Sequence, residues 1–128
     1  MAEFKHVAVL GGGIMGAGIA GFFADRGYSV SVFDITLELA QKGLANLTDP
    51  KAKIPLILSP KNVNRVKAYA TSSMKDVLPQ ADLLIEAVPE VMSIKQKAFA
   101  EVDKYRRPGS IIATNTSGLS IDQMVAGL

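Results

Sequence analysis

At 128 residues the chain has the length of one domain, and a hydrophobic content of 48% supplies enough apolar side chain for a packed core. Fourteen basic and twelve acidic residues leave a net charge of +2, too even a balance to predict a nucleic-acid or membrane-surface partner. The lack of cysteine excludes disulfides and thiolate chemistry, a single histidine argues against a metal site, and no apolar run approaches the roughly 20 residues of a membrane span.

Residues 1–5 are a lead-in whose Glu3 departs from the basic start of a signal peptide, so a cytoplasmic location is expected. His6–Leu10 (HVAVL) is short, apolar and β-branched, the pattern of a buried strand. A glycine turn follows, then a helix over about residues 14–26. Gly16, Gly18 and Gly21 each weaken that helix by about 1 kcal/mol relative to alanine, which points to close packing on the sheet and on a ligand. Gly27 suits a left-handed helix end, and Ser29–Asp34 reads as the second strand. Thr36 caps a helix reaching about residue 47, with Leu39, Ala40, Leu44 and Leu47 on one stripe. Residues 48–66 carry Pro50, Pro55 and Pro60, which no continuous helix accommodates, so a surface excursion with one strand-like or turn segment is expected. Residues 66–71 form a third strand and 73–78 a helical turn. The run ADLLIEAV, 81–88, is a fourth strand stopped by Pro89. A helix over 91–105 is expected to turn Ile94, Ala98, Phe99 and Val102 inward. After a turn at Pro108 and Gly109 come a fifth strand (110–114), a polar loop (115–118) and a last helix capped by Ser120.

Strands alternating with helices predict an α/β fold: a Rossmann-type, doubly wound parallel sheet in three α/β/α layers, with strand order 3-2-1-4-5. The order reverses between strands 1 and 4, and ligands then lie beyond the carboxyl ends of the strands. The loops at that edge are 11–16, 34–36, 88–90 and 115–118.

The first of these, Gly11-Gly12-Gly13-Ile14-Met15-Gly16, is a G-x-G-x-x-G turn between a strand and a helix, and Asp34 stands eighteen residues past Gly16. Gly11 permits the tight turn, Gly13 the approach of backbone to a pyrophosphate, and Gly16 close helix–strand packing. A glycine turn serving packing alone is the alternative. Asp34 would accept hydrogen bonds from the adenosine ribose and repel a 2′-phosphate. Neither Ile35 nor Thr36 could hold such a phosphate, so the expected cofactor is NAD. The alternative, compatible with it, is an aspartate capping the next helix.

Glu86 lies in an apolar strand, where a charge needs a partner, as a structural acceptor or a residue turned to the sheet's end. Glu90 and Lys95 are either site residues or a salt-bridged helix start. Ser117 is either a polar contact to ligand or a loop hydrogen bond; it has no histidine partner for a triad. His6 lies at the opposite edge of the sheet and reads as structural. Lys104, Arg106 and Arg107 fall at a helix C-terminus, and Lys51, Lys53, Lys61, Arg65 and Lys67 around the excursion; both groups read as solvated surface.

Three stretches, VAVLGGGIMGAGIA (7–20), ADLLIEAVPE (81–90) and SIIATNTSGLSI (110–121), together resemble the N-terminal NAD-binding domain of 3-hydroxyacyl-CoA dehydrogenases. Residues 55–62 and 105–110 look closest to the large members fused to an enoyl-CoA hydratase-like region. The resemblance implies that Gly11–Gly16 holds the pyrophosphate and Asp34 the adenosine ribose. It implies that Glu90 and Lys95 lie at the nicotinamide-side ribose, and that Ser117 lies between nicotinamide and the substrate's 3-oxygen. The expected cofactor-binding set is Gly11, Gly12, Gly13, Ile14, Met15, Gly16, Asp34, Ala87, Val88, Glu90, Lys95, Asn115 and Ser117. Gly118 replaces a second serine of many members, and the arm after strand 2 is shortened, so no CoA-binding residue carries over. The family's catalytic histidine, its orienting glutamate and a substrate-binding asparagine lie beyond the serine loop. The chain ends eleven residues after Ser117, which predicts an inactive fragment of a longer polypeptide. An acyl-CoA substrate and homo-oligomer formation through the missing domain are expected of the full-length protein. The alternatives are the NAD domain of a β-hydroxy acid dehydrogenase and a non-catalytic NAD-binding module.

Overall fold

The computed structural model describes residues 4–51, 56–115 and 121–124. Five strands form one sheet: β1 (His6–Leu10), β2 (Ser29–Asp34), β3 (Val66–Ala70), β4 (Leu83–Glu86) and β5 (Ile111–Thr114). Every pairing is parallel and the order is β3-β2-β1-β4-β5, as expected from the alternation of strands and helices. The helices are α1 (Ile14–Asp25), α2 (Leu37–Ala45), α3 (Met74–Val77), α4 (Met92–Tyr105) and α5 (Ile121–Met124). None among the described residues is long and apolar enough to cross a membrane.

The strand period of two divides the apolar residues between two cores. Val7, Val9, Val30 and Val32 face Ala17, Ala20 and Ala24 of α1. Ala8, Leu10, Phe33 and Leu84 face Leu78 and Val102 on the other side. Both faces of β1 are therefore covered, which is why its sequence is continuously apolar rather than alternating. Gly27, at φ +92°, ends the turn after α1 in the left-handed region.

Four expectations are corrected. Residues 56–65 are not a detached excursion: Ile57 is buried in the first core, and Pro60–Arg65 forms a 3-10 turn with proline in its first turn. Asp25 ends α1 and accepts hydrogen bonds from the Leu58 amide (2.8 Å) and the Asn62 side chain (2.9 Å). A carboxylate is unfavourable near a helix C-terminus unless donors surround it, and this segment supplies them. Those donors outweigh the burial that opposes ionisation and hold the Asp25 carboxyl below its usual range. On α2 Leu39 is exposed, and Gly43 takes the buried place instead. On α4 Ile94 faces outward and Lys95 inward, for a reason that lies in the site. The arginines after α4 are not merely solvated: Arg107 pairs with Asp82 at 2.6 Å and Arg106 with Asp103 at 3.0 Å. Asp82 also accepts from the Lys5 and His6 amides, joining the start of β1 to that corner.

Candidate functional site

The carboxyl ends of the strands border a cleft of about 1150 Å³. Its floor is the glycine loop. Gly11 adopts φ +108°, and a Cβ there would lie 2.5 Å from the Ala87 carbonyl oxygen, so conformation and space both require glycine. A Cβ on Gly16 would lie 1.8 Å from the Gly11 carbonyl oxygen, which is the close helix–strand approach expected of this position. Gly43 is the counterpart that the sequence reading missed: a Cβ there would lie 1.7 Å from the Gly12 carbonyl oxygen. Helix α2 therefore packs backbone-on-backbone against the loop. A glycine in mid-helix, against its propensity, was the available signal.

Gly13 differs from all of these. Its φ and ψ (−72°, −172°) are extended, which any residue adopts, and a Cβ there would meet no heavy atom within 4 Å. Nothing within the described chain requires glycine at this exposed position, at the N-terminus of α1 and on the cleft wall. A missing side chain here leaves space for an external group, and the helix end favours an anionic one.

Asp34 ends β2 beside the loop. One carboxylate oxygen accepts from the Gly12 amide at 3.0 Å and the other from the Ile35 amide at 2.7 Å. The helix-capping role belongs instead to Thr36, whose hydroxyl accepts from the Leu39 amide at 3.1 Å. Ile14, Met15 and Ile35 expose apolar side chains on the cleft wall. Across the cleft stand Ala87, Val88, Glu90 and Asn115, with Ile94 and Ala98 of α4. The outward turn of Ile94 thus gives the cleft an apolar wall.

The inward turn of Lys95 answers Glu86. Glu86 is 2% exposed, and its Oε2 accepts from the Lys95 ammonium (2.6 Å) and the Val88 amide (2.7 Å). Its Oε1 accepts from the Thr114 hydroxyl at 2.6 Å. Lys95 also pairs with Glu90 at 2.9 Å and donates to the Val88 carbonyl at 3.2 Å. Burial alone would lower the Lys95 pKa, but the hydrogen bonds and charges of Glu86 and Glu90 outweigh it and raise the pKa above the ordinary value. Glu86 is therefore the structural acceptor that its apolar strand demanded. His6, at the far edge of the sheet, bonds Ser31 at 2.7 Å. Ser117, Gly118, Ser120 and Lys53 lie outside the described residues.

A glycine loop opening a helix, a strand-end aspartate and a cleft at the switch point of a parallel sheet define a Rossmann-type dinucleotide-binding domain. Residues 6–128 match the family described as 3-hydroxyacyl-CoA dehydrogenase, NAD binding domain, and the chain belongs to it; its cofactor is NAD. It is 35% identical to a probable 3-hydroxyacyl-CoA dehydrogenase of Bacillus subtilis (strain 168), over 96% of this chain and 18% of that protein. It is 34% identical to the mitochondrial hydroxyacyl-coenzyme A dehydrogenase of Rattus norvegicus, over 91% of this chain and 40% of that one. Among solved structures, a 3-hydroxybutyryl-CoA dehydrogenase from Escherichia coli superposes with a TM-score of 0.76 at 29% identity, over 99% of this chain and 28% of that one. The chain spans less than half the length of each of these relatives.

Proposed function

We propose that this chain is the cofactor-holding part of an NAD-dependent dehydrogenase that converts 3-hydroxyacyl-CoA to 3-oxoacyl-CoA, as in fatty-acid β-oxidation. The observation that carries the reading is Gly13, where the extended backbone does not require glycine and an added Cβ would meet no protein atom, one residue from the Gly12 amide that Asp34 holds. The loop amides at the start of α1 bind the pyrophosphate. The Asp34 carboxylate accepts from the adenosine ribose and disfavours a 2′-phosphate. Ile14, Met15 and Ile35 exclude water from the adenosine half of the cleft. Glu90, Lys95, Asn115 and Ser117 serve the nicotinamide half, with Ser117 also touching the substrate. When bound, the cofactor supplies a nicotinamide C4 that takes the hydride from C3 of the substrate. The 3-hydroxyl proton then needs a base. The one histidine given, His6, is at the opposite edge and bonded to Ser31, so the base belongs to a further part of the polypeptide. That further part is also where homo-oligomer contacts are placed in this reading. A cytoplasmic location and a lack of nucleic-acid partners belong to the same proposal.

The test is oxidation of 3-hydroxybutyryl-CoA with NAD, measured on the polypeptide extended to the length of its relatives and on the 128-residue chain. NADH formation by the first only is expected. No NADH from the extended polypeptide, or turnover by the short chain, overturns the reading.

A further inference from the structure

The chain contains no cysteine, so its sulfur chemistry falls to five methionines. A thioether is oxidised where an oxidant can reach the sulfur, and burial shields it. Met74 and Met124 are 2% and 1% exposed, closed inside the fold, and Met92 at the start of α4 is half-buried. Met1 lies outside the described residues. Met15 is 59% exposed, in the first turn of α1 and on the wall of the cleft. Its neighbours on that wall, Ile14 and Ile35, are apolar and exposed as well. None of the three belongs to either core. Such a wall loses its contact with water when the cofactor lies across it.

We propose that Met15 is a site of reversible oxidation by hydroperoxides, and that its sulfoxide weakens the hold of the cleft on NAD. The proposal rests on the reading of the cleft as an NAD seat. In the forward step a lone pair of the Met15 sulfur attacks one oxygen of hydrogen peroxide. An S–O bond forms, the O–O bond breaks, and the second oxygen leaves as water. Sulfur loses two electrons and the peroxide gains them. The sulfoxide is polar, bulkier by one oxygen and a hydrogen-bond acceptor. The wall then presents the cofactor with an unmatched dipole where it had presented apolar surface. The fold has no comparable stake in this sulfur, because Met15 lies outside both cores. Oxidation there acts on binding and leaves stability alone. At Met74 or Met124 the same oxygen would enter a packed interior, and stability and binding would fall together. In the return step a sulfoxide reductase removes the oxygen as water, and two thiols of the reductant become a disulfide.

The chain is treated briefly with hydrogen peroxide, with and without saturating NAD, and oxidation at each methionine is read by peptide mapping. Met15 is expected to react before Met74, Met92 and Met124, and NAD to protect it. The treated chain should bind NAD roughly fivefold or more weakly, the scale of one apolar side chain lost from a contact. Its melting temperature should stay within about 3 °C of the untreated chain, as for a change on the surface. Sulfoxide reductases of both stereospecificities should restore the thioether and the affinity together. Met15→Leu, compared with its own affinity before treatment, should change less than about twofold. Three results overturn the proposal and leave the NAD seat standing: an oxidised Met15 with unchanged NAD affinity, an equal loss in treated Met15→Leu, or a Met15 that reacts after the buried methionines or as fast under saturating NAD as without it. An untreated chain that binds no NAD overturns both.

Discussion

Gly13→Ala separates the two reasons for which a glycine can occupy this loop. The backbone there is extended and the added methyl meets no protein atom. In the unfolded chain alanine is less free than glycine, which favours the folded variant by about 0.4–1 kcal/mol. Alanine is also a poorer N-cap than glycine, and Gly13 is the N-cap of α1, so a penalty of similar size opposes the gain. Stability without ligand should thus stay within about 1 kcal/mol of the parent, or roughly 4 °C in melting temperature for a chain of this size. Gly16→Ala is the contrast. Its methyl would sit 1.8 Å from the Gly11 carbonyl oxygen, with backbone on both sides, so the helix or the loop must move. A loss of roughly 1–3 kcal/mol or more follows. With NAD the order of informativeness reverses: Gly13→Ala should bind at least about tenfold more weakly, a penalty of ~1.4 kcal/mol, from a fold that is otherwise intact. Thermal unfolding without ligand and calorimetric titration with NAD make the comparison. A Gly13→Ala protein that binds NAD normally, or one that unfolds as readily as Gly16→Ala, would refute the argument that the space at Gly13 belongs to the cofactor.

Asp34→Ala should weaken NAD binding and narrow the preference over NADP. The variant loses the carboxylate that holds the Gly12 amide and repels a 2′-phosphate; unchanged titrations of both cofactors would remove Asp34 from that role. Gly43→Ala should lower both melting temperature and NAD affinity, because its methyl would overlap the Gly12 carbonyl oxygen at 1.7 Å and push on the loop from behind. A stability loss with full NAD affinity would show the loop to be insulated from α2. Burial above all, with help from Lys67 and against the pull of Asp82, holds the His6 pKa below 6.5. The unfolded chain then takes the proton more readily, so this contribution is complete above pH 6.5 and is lost as pH falls through the lower folded value. Asp25 and Asp82, both with lowered pKa values, stabilise the fold fully above pH 3.8 and lose that contribution only as pH falls below it, so the mildly acidic limb is not theirs. His6→Gln should flatten the mildly acidic limb of the melting-temperature profile, and an unaltered limb would exclude His6 as its cause.

The sheet was legible because each strand is a short apolar run and each connection carries a helix. β1 and β2 lie within the bounds that their residues suggested, and the order of all five follows from the alternation. The glycine loop was legible because backbone geometry leaves a residue signature. Asp34 was legible from its distance to that loop. What escaped was set by partners distant in sequence. Amphipathic periodicity places Ile94 inside, since it registers hydrophobicity and not the Glu86 carboxylate nine residues earlier that draws Lys95 inward. The unpaired acid in an apolar strand was the clue. The prolines in 48–66 spoke against a helix, but nothing local announced that Asp25 would collect the Leu58 and Asn62 donors and draw the segment onto α1.

The central claim is that this cleft is an NAD seat built from the glycine loop and Asp34. The most direct measurement is a calorimetric titration of the unaltered chain with NAD and, separately, with NADP. The account predicts saturable binding of one NAD per chain, with NADP at least about tenfold weaker, as expected when a carboxylate faces the added phosphate. Equal affinity for the two cofactors, or no saturable binding of NAD, would contradict it.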